Sequence, residues 1–227
     1  MPVRRKPWTG MIAVAMAAAL SLALPSGAAV AQFKTEVVTV RVRPGVTMKY
    51  LELKGSERPR AVVILLAGGN GVLALQPSGQ IGTDLALNFL IRARGLFARE
   101  GLAVAALDVA SDLRRGGMNG DIRLSAQHAQ DVAHVIATLR ERIGAPVWLV
   151  GTSSGTISAA GVAARLALSK SPPDGIVLTS TQTTLVAGHC GRTVYFAKLA
   201  AIRAPVLAVS HRDDACPCSP GSAKPGA

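Results

Sequence analysis

The stretch Val147-Trp148-Leu149-Val150-Gly151-Thr152-Ser153-Ser154-Gly155 constrains this chain more than any other. An apolar run short enough to be a buried strand stops at Gly151. Gly155 then opens the alanine-rich helical pattern Thr156-Ile157-Ser158-Ala159-Ala160. Ser153 is the centre of a G-x-S-x-G sequence. A strand that turns sharply into a helix needs small residues on either side of the turn, because larger side chains would collide. Such a turn lifts its middle residue clear of the sheet edge, in backbone geometry that only tight packing can hold. The positive end of the following helix lies beneath it. A bare G-x-S-x-G arises often by chance, and a Gly/Ser turn can simply join a strand to a helix. Here the strand–turn–helix context is present, so Ser153 is the candidate nucleophile.

At the N-terminus Arg4, Arg5 and Lys6 precede an apolar run over residues 11–24, then Pro25 and the small-residue stretch Ala29-Val30-Ala31. Basic, apolar and A-x-A segments in that order predict a secretory signal peptide over residues 1–31, cut after Ala31. The apolar run falls short of the ~20 residues that span a bilayer; an uncleaved anchor is the alternative. The mature chain is expected to be exported, periplasmic or secreted, with one domain over residues 32–216. Removing three basic residues and no acids lowers the net charge from +12 to +9. That charge is scattered, and with aromatic residues at only 4% it offers no stacking platform for nucleic acid. An exported protein can keep a disulfide, and Cys190 is expected to pair with Cys216 or Cys218, leaving one thiol over. Cys216-Pro217-Cys218 lacks a second ligand pair and is a poor zinc signature.

Residues 35–43 and 47–53 largely alternate around Pro44-Gly45 and predict an antiparallel hairpin at a sheet edge. Residues 61–66 are an unbroken apolar run, the mark of a strand covered on both faces. Helices are expected over 83–99, with Leu87, Leu90, Ile91 and Phe97 in the apolar stripe, and over 124–142. A polar loop over 111–123 lies between them. Strands are expected over 102–107, closed by Asp108, over 176–180 and over 205–210, and a short helical segment over 194–202. Strands alternating with helices predict a mostly parallel, twisted sheet with helices on both faces. In such sheets ligands sit beyond the carboxyl ends of the strands.

Two further signals fall at those ends. Gly68-Gly69-Asn70-Gly71 matches neither a phosphate loop nor a dinucleotide fingerprint. Glycines after a buried strand let an amide face a developing oxyanion, and Gly69 is the candidate donor, with Asn70 next. The N–H of Ser154 would supply the second donor. A plain glycine turn is the alternative. A serine hydroxyl also needs a histidine to take its proton and a carboxylate to orient that histidine. Asp214 is the candidate acid and Asp213 the runner-up, a solvated acidic turn being the plainer reading.

On these residues the chain resembles the α/β-hydrolase superfamily: Gly151-Thr152-Ser153-Ser154-Gly155, the loop Gly68 to Gly71, and a strand followed by Asp214. The resemblance implies a serine hydrolase working through an acyl-enzyme, most often on carboxylic esters and sometimes on amides. It calls for no metal and no organic cofactor, and for a small-molecule substrate as partner.

The chain departs from the superfamily pattern where the histidine should follow the acid. The 13 residues after Asp214 contain no histidine, strand or helix pattern. The sequence therefore predicts a C-terminally truncated member, its last strand and helix missing, with a disordered Pro/Gly/Ser-rich tail over 217–227. Of the other histidines, His128 is expected to be packed, His134 solvated and His211 to support its loop. His189 is the one that could swing toward Ser153. A non-catalytic remnant of the same fold stands beside the hydrolase reading.

Overall fold

The computed structural model describes residues 33–188 and 190–221. The expected signal peptide, His189 and residues 222–227 of the expected tail lie outside the described residues. Strand β1 (Lys34–Arg43) turns at Gly45, which has a positive φ of 70°, and returns as β2 (Val46–Lys54). This is the expected hairpin, running from Lys34 opposite Lys54 to Arg43 opposite Val46. β3 (Val62–Leu66) and β4 (Ala103–Leu107) follow, then β5 (Val147–Ser153), β6 (Gly175–Thr181) and β7 (Val206–Val209). The seven strands form one sheet in the order β1-β2-β4-β3-β5-β6-β7. β2 pairs antiparallel with β1 and β4, and all pairs from β4 to β7 are parallel.

Both faces of the central strands are buried, which is why β3 reads as continuous hydrophobic sequence. Val62, Ile64 and Leu66 face the larger core, built with α4 (Ala126–Ile143) and α5 (Gly155–Leu166). Val63 and Leu65 face the opposite core, closed by Leu90, Ile91 and Ala98. α4 starts at Ser125, whose side chain accepts from the His128 N–H, and ends at Gly144 with a left-handed φ of 72°. Its Val132, Val135, Ile136 and Leu139 are fully buried. Among the described residues no helix is long and apolar enough to cross a membrane.

Three expectations need correction. The single helix over 83–99 is instead a 3-10 turn (Asp84–Leu87) followed by α1 (Phe89–Arg92) and α2 (Arg94–Arg99). Asn88 breaks it: its backbone is extended and its side chain caps the amides of Leu90 and Ile91, so a new helix starts there and Leu87 is left exposed. The loop over 111–123 contains a short helix, α3 (Gly120–Arg123), capped by the Asn119 side chain. Finally, residues 217–221 of the expected disordered tail are folded back. Cys218 forms a disulfide with Cys190, its carbonyl accepts from the amides of Thr183 and Thr184, and Ser219 is buried. A crosslink to the loop after β6 supplies the order that composition alone could not. Cys216 is the free thiol.

Candidate active site

Ser153 is the last residue of β5 and has a φ of +52°, a conformation that costs a non-glycine residue ~1–2 kcal/mol. The strain is held by close packing at both flanking glycines. A Cβ on Gly151 would sit 2.5 Å from the carbonyl oxygen of Gly155, and one on Gly155 would run into the carbonyls of Leu66 and Ala67. The two glycines of G-x-S-x-G therefore let the first turn of α5 lie against β5 and against the end of β3. This contact also brings the loop after β3 to the serine: a Cβ on Gly68 would lie 3.0 Å from Ser153 Cβ and 3.5 Å from its Oγ. Gly68 must remain without a side chain for the hydroxyl to stay accessible from the loop side.

The loop itself is a tight turn closed by the Gly71 N–H donating to the Gly68 carbonyl at 3.1 Å, with Gly69 at a φ of +57°. Among the described residues the amides of Gly69 and Ser154 donate to no protein acceptor. Ser154 stands at the start of the twelve-residue α5, so the helix's positive end meets the turn. The structure thus sets Gly68 against Ser153, with Gly69 the next residue of the loop and Ser154 the next residue of the turn.

Asp214 lies in the segment past the carboxyl end of β7, which stands two strands along the sheet from β5, the strand that ends in Ser153. It is half-buried, and its Oδ1 accepts from the Cys216 amide at 3.0 Å. Asp213 is exposed, 3.7 Å from Arg212. Among the described residues no histidine ring bonds Ser153 or Asp214. His134 is exposed, and His211 uses Nδ1 to accept from the Asp213 amide. His128 is buried on α4, where Nε2 lies 3.1 Å from Ser158 Oγ.

Two buried charged residues hold the loops beside the site. Asp108, 2% exposed, accepts from the amides of Leu73, Leu75 and Val109 and so anchors the segment after the glycine loop. Its place directly after an apolar strand run was legible; its three bonds were not. Arg123, 1% exposed, donates through Nη2 to the carbonyls of Ala67 (3.3 Å) and Gly69 (2.9 Å), and through Nη1 to Ser158 Oγ (2.9 Å). A residue at the end of a polar stretch gives no local hint of burial.

Ser158 Oγ accepts from Arg123 Nη1 and shares a second hydrogen bond with His128 Nε2. Burial, and then the Arg123 charge, push the His128 pKa down to about 3. The unfolded chain takes up this proton below about pH 6.5 while the folded chain does not, so stability is fully present above that pH and is lost as pH falls toward 3. Denaturant titrations should show a loss of up to about 1.4 kcal/mol per pH unit through this window. The slope should flatten in His128→Gln; equal slopes would assign the acid sensitivity elsewhere.

Neither a family model nor a curated protein matches the sequence. Among solved structures, a cold-adapted esterase from an Arctic intertidal metagenomic library superposes with a TM-score of 0.52. The two chains are 16% identical over 80% of this chain and 73% of that one. The fold is that of the α/β-hydrolases. Brefeldin A esterase, a bacterial homologue of human hormone-sensitive lipase, superposes with a TM-score of 0.46 at 19% identity, over 70% of this chain and 42% of that one. Within the α/β-hydrolase fold, the strained turn at Ser153 stands at the carboxyl end of β5, beside the glycine loop that follows β3.

Proposed function

We propose that this chain is a serine hydrolase acting on small carboxylic esters. The observation that carries the reading is Ser153, held at a φ of +52° at the start of α5 with the Gly68 backbone against it. In this reading Ser153 Oγ attacks the ester carbonyl carbon while its proton leaves to a base. The N–H groups of Gly69 and Ser154 stabilise the oxyanion, the alcohol departs, and water hydrolyses the acyl-enzyme. Asp214 is the candidate acid of the site; among the described residues no histidine ring bonds it or Ser153. The export expected from residues 1–31 belongs to the same proposal, and the Cys190–Cys218 disulfide fits an oxidising compartment.

The second reading, a non-catalytic α/β-hydrolase fold, is favoured by one observation: among the described residues no imidazole reaches Ser153. A fluorophosphonate separates the two. An activated Ser153 displaces fluoride and forms a P–O bond, while an isolated serine stays free. We expect a single adduct mapping to Ser153 by peptide mass spectrometry and none in Ser153→Ala. An unlabelled wild-type chain establishes the non-catalytic reading.

A further inference from the structure

Arg123 is a buried cation for which, among the described residues, no carboxylate pairs and whose Nε has no hydrogen-bond partner. Burying an unpaired charge is expensive, and a core position would be better filled by an apolar side chain. What this one does is visible in its bonds. Nη2 binds the carbonyls of Ala67 and Gly69, and the carbonyl between them, Gly68, accepts from Gly71. Three successive carbonyls are thereby tied down. In a trans peptide the N–H points opposite to the C=O. The N–H of Gly69 therefore has its direction set by the peptide it shares with Gly68, and the peptides on either side of that one are held by the guanidinium. Without this clamp the peptides on either side of the Gly68-Gly69 bond lose their anchor, and glycine's few steric limits leave them able to shift.

The guanidinium is itself held from behind by Ser158 of α5, the helix that begins at the Ser153 turn. A Cβ on Gly71 would lie 3.1 Å from Nη2, so the loop also packs directly over the charge. One side chain thus couples the loop after β3 to the nucleophile helix.

We propose that Arg123 is a positioning residue: it orients the Gly69 amide toward the oxyanion site and places a fixed positive charge beneath that loop. The inference rests on the hydrolase reading for its catalytic consequence, while the clamp itself does not. An anion developing at Ser153 would be the counter-charge this buried cation lacks. Burial pulls the Arg123 pKa down to about 10, still well above neutrality, so it is charged under ordinary conditions.

Two measurements test the proposal separately. In fluorophosphonate labelling, Arg123→Met should lower the rate at saturating reagent by about 10²-fold, the effect of a small misplacement of a catalytic group, with reagent affinity unchanged. Arg123→Lys should recover little of it, because an ammonium cannot bridge two carbonyls and a hydroxyl in one plane. Added guanidinium should partly restore Arg123→Ala. A folded Arg123→Met that labels at the wild-type rate overturns the role. The second measurement needs no activity. In amide NMR spectra, Arg123→Lys should split or broaden the Gly69 and Asn70 signals and leave those of the β1–β2 hairpin in place; unmoved loop signals overturn the clamp. A wild-type chain that does not label, but whose loop signals depend on Arg123, refutes the hydrolase reading and keeps the clamp.

Discussion

Gly155→Ala is expected to destabilise the chain more than any other single change at the site. The added Cβ points at the backbone carbonyls of Leu66 and Ala67; Leu66 is held by its pairing with Gly151 of β5, and the Ala67 carbonyl by Arg123 Nη2. Relief requires α5 to move off the sheet, which opens the core around Ile157, Ala159, Ala160 and Val162. Overpacking of this kind costs about 3 kcal/mol or more, against a total stability on the order of 5–15 kcal/mol. Soluble yield and the denaturation midpoint should both fall markedly. Gly191→Ala serves as the control, since that glycine is exposed, has no left-handed φ and no atom within 4 Å of an added Cβ. It should stay within about 0.5 kcal/mol of wild type. If Gly155→Ala unfolds no more readily than Gly191→Ala, the packing account of the elbow is wrong.

Asp108→Ala should be the next most damaging change. The carboxylate accepts from Leu73 at 2.8 Å, Leu75 at 2.9 Å and Val109 at 2.9 Å, all from buried surroundings. Ala74, at a φ of +48°, turns the chain so that the amides on either side of it converge on the two oxygens. Alanine leaves three buried donors unmet, each costing about 1–3 kcal/mol, for a total on the order of 4 kcal/mol allowing for relaxation. The segment over residues 72–81 should become the first site of proteolytic cleavage, because its anchor to β4 is gone. Asp108→Asn should fall between, as its amide oxygen still accepts while its NH2 has no acceptor. A loss under about 1 kcal/mol for the alanine variant would mean that the loop is held by its other contacts.

These two sites differ in how far they could be read in advance. Gly155 was legible because its demand is local: a strand meeting a helix over a few residues forces small side chains at known spacing. The two-sided burial of β3 and the hairpin at the edge were legible for the same reason, since alternation and its absence report burial within a single strand. The break at Asn88 was not, because a cap competes with an otherwise continuous apolar stripe, and only the docking of Leu90 and Ile91 on the sheet decides which wins.

The sequence by itself determined the parallel sheet covered on both faces, the turn that carries Ser153 and the glycines that line it, since each depends on residues adjacent along the chain. Tertiary structure alone decided that Gly68 rather than Gly69 touches the serine, that Cys218 takes Cys190, and that Arg123 is buried under the loop. A buried charge is tolerated only where acceptors converge on it. Those acceptors come from the loop after β3 and from α5, segments whose meeting no local pattern encodes.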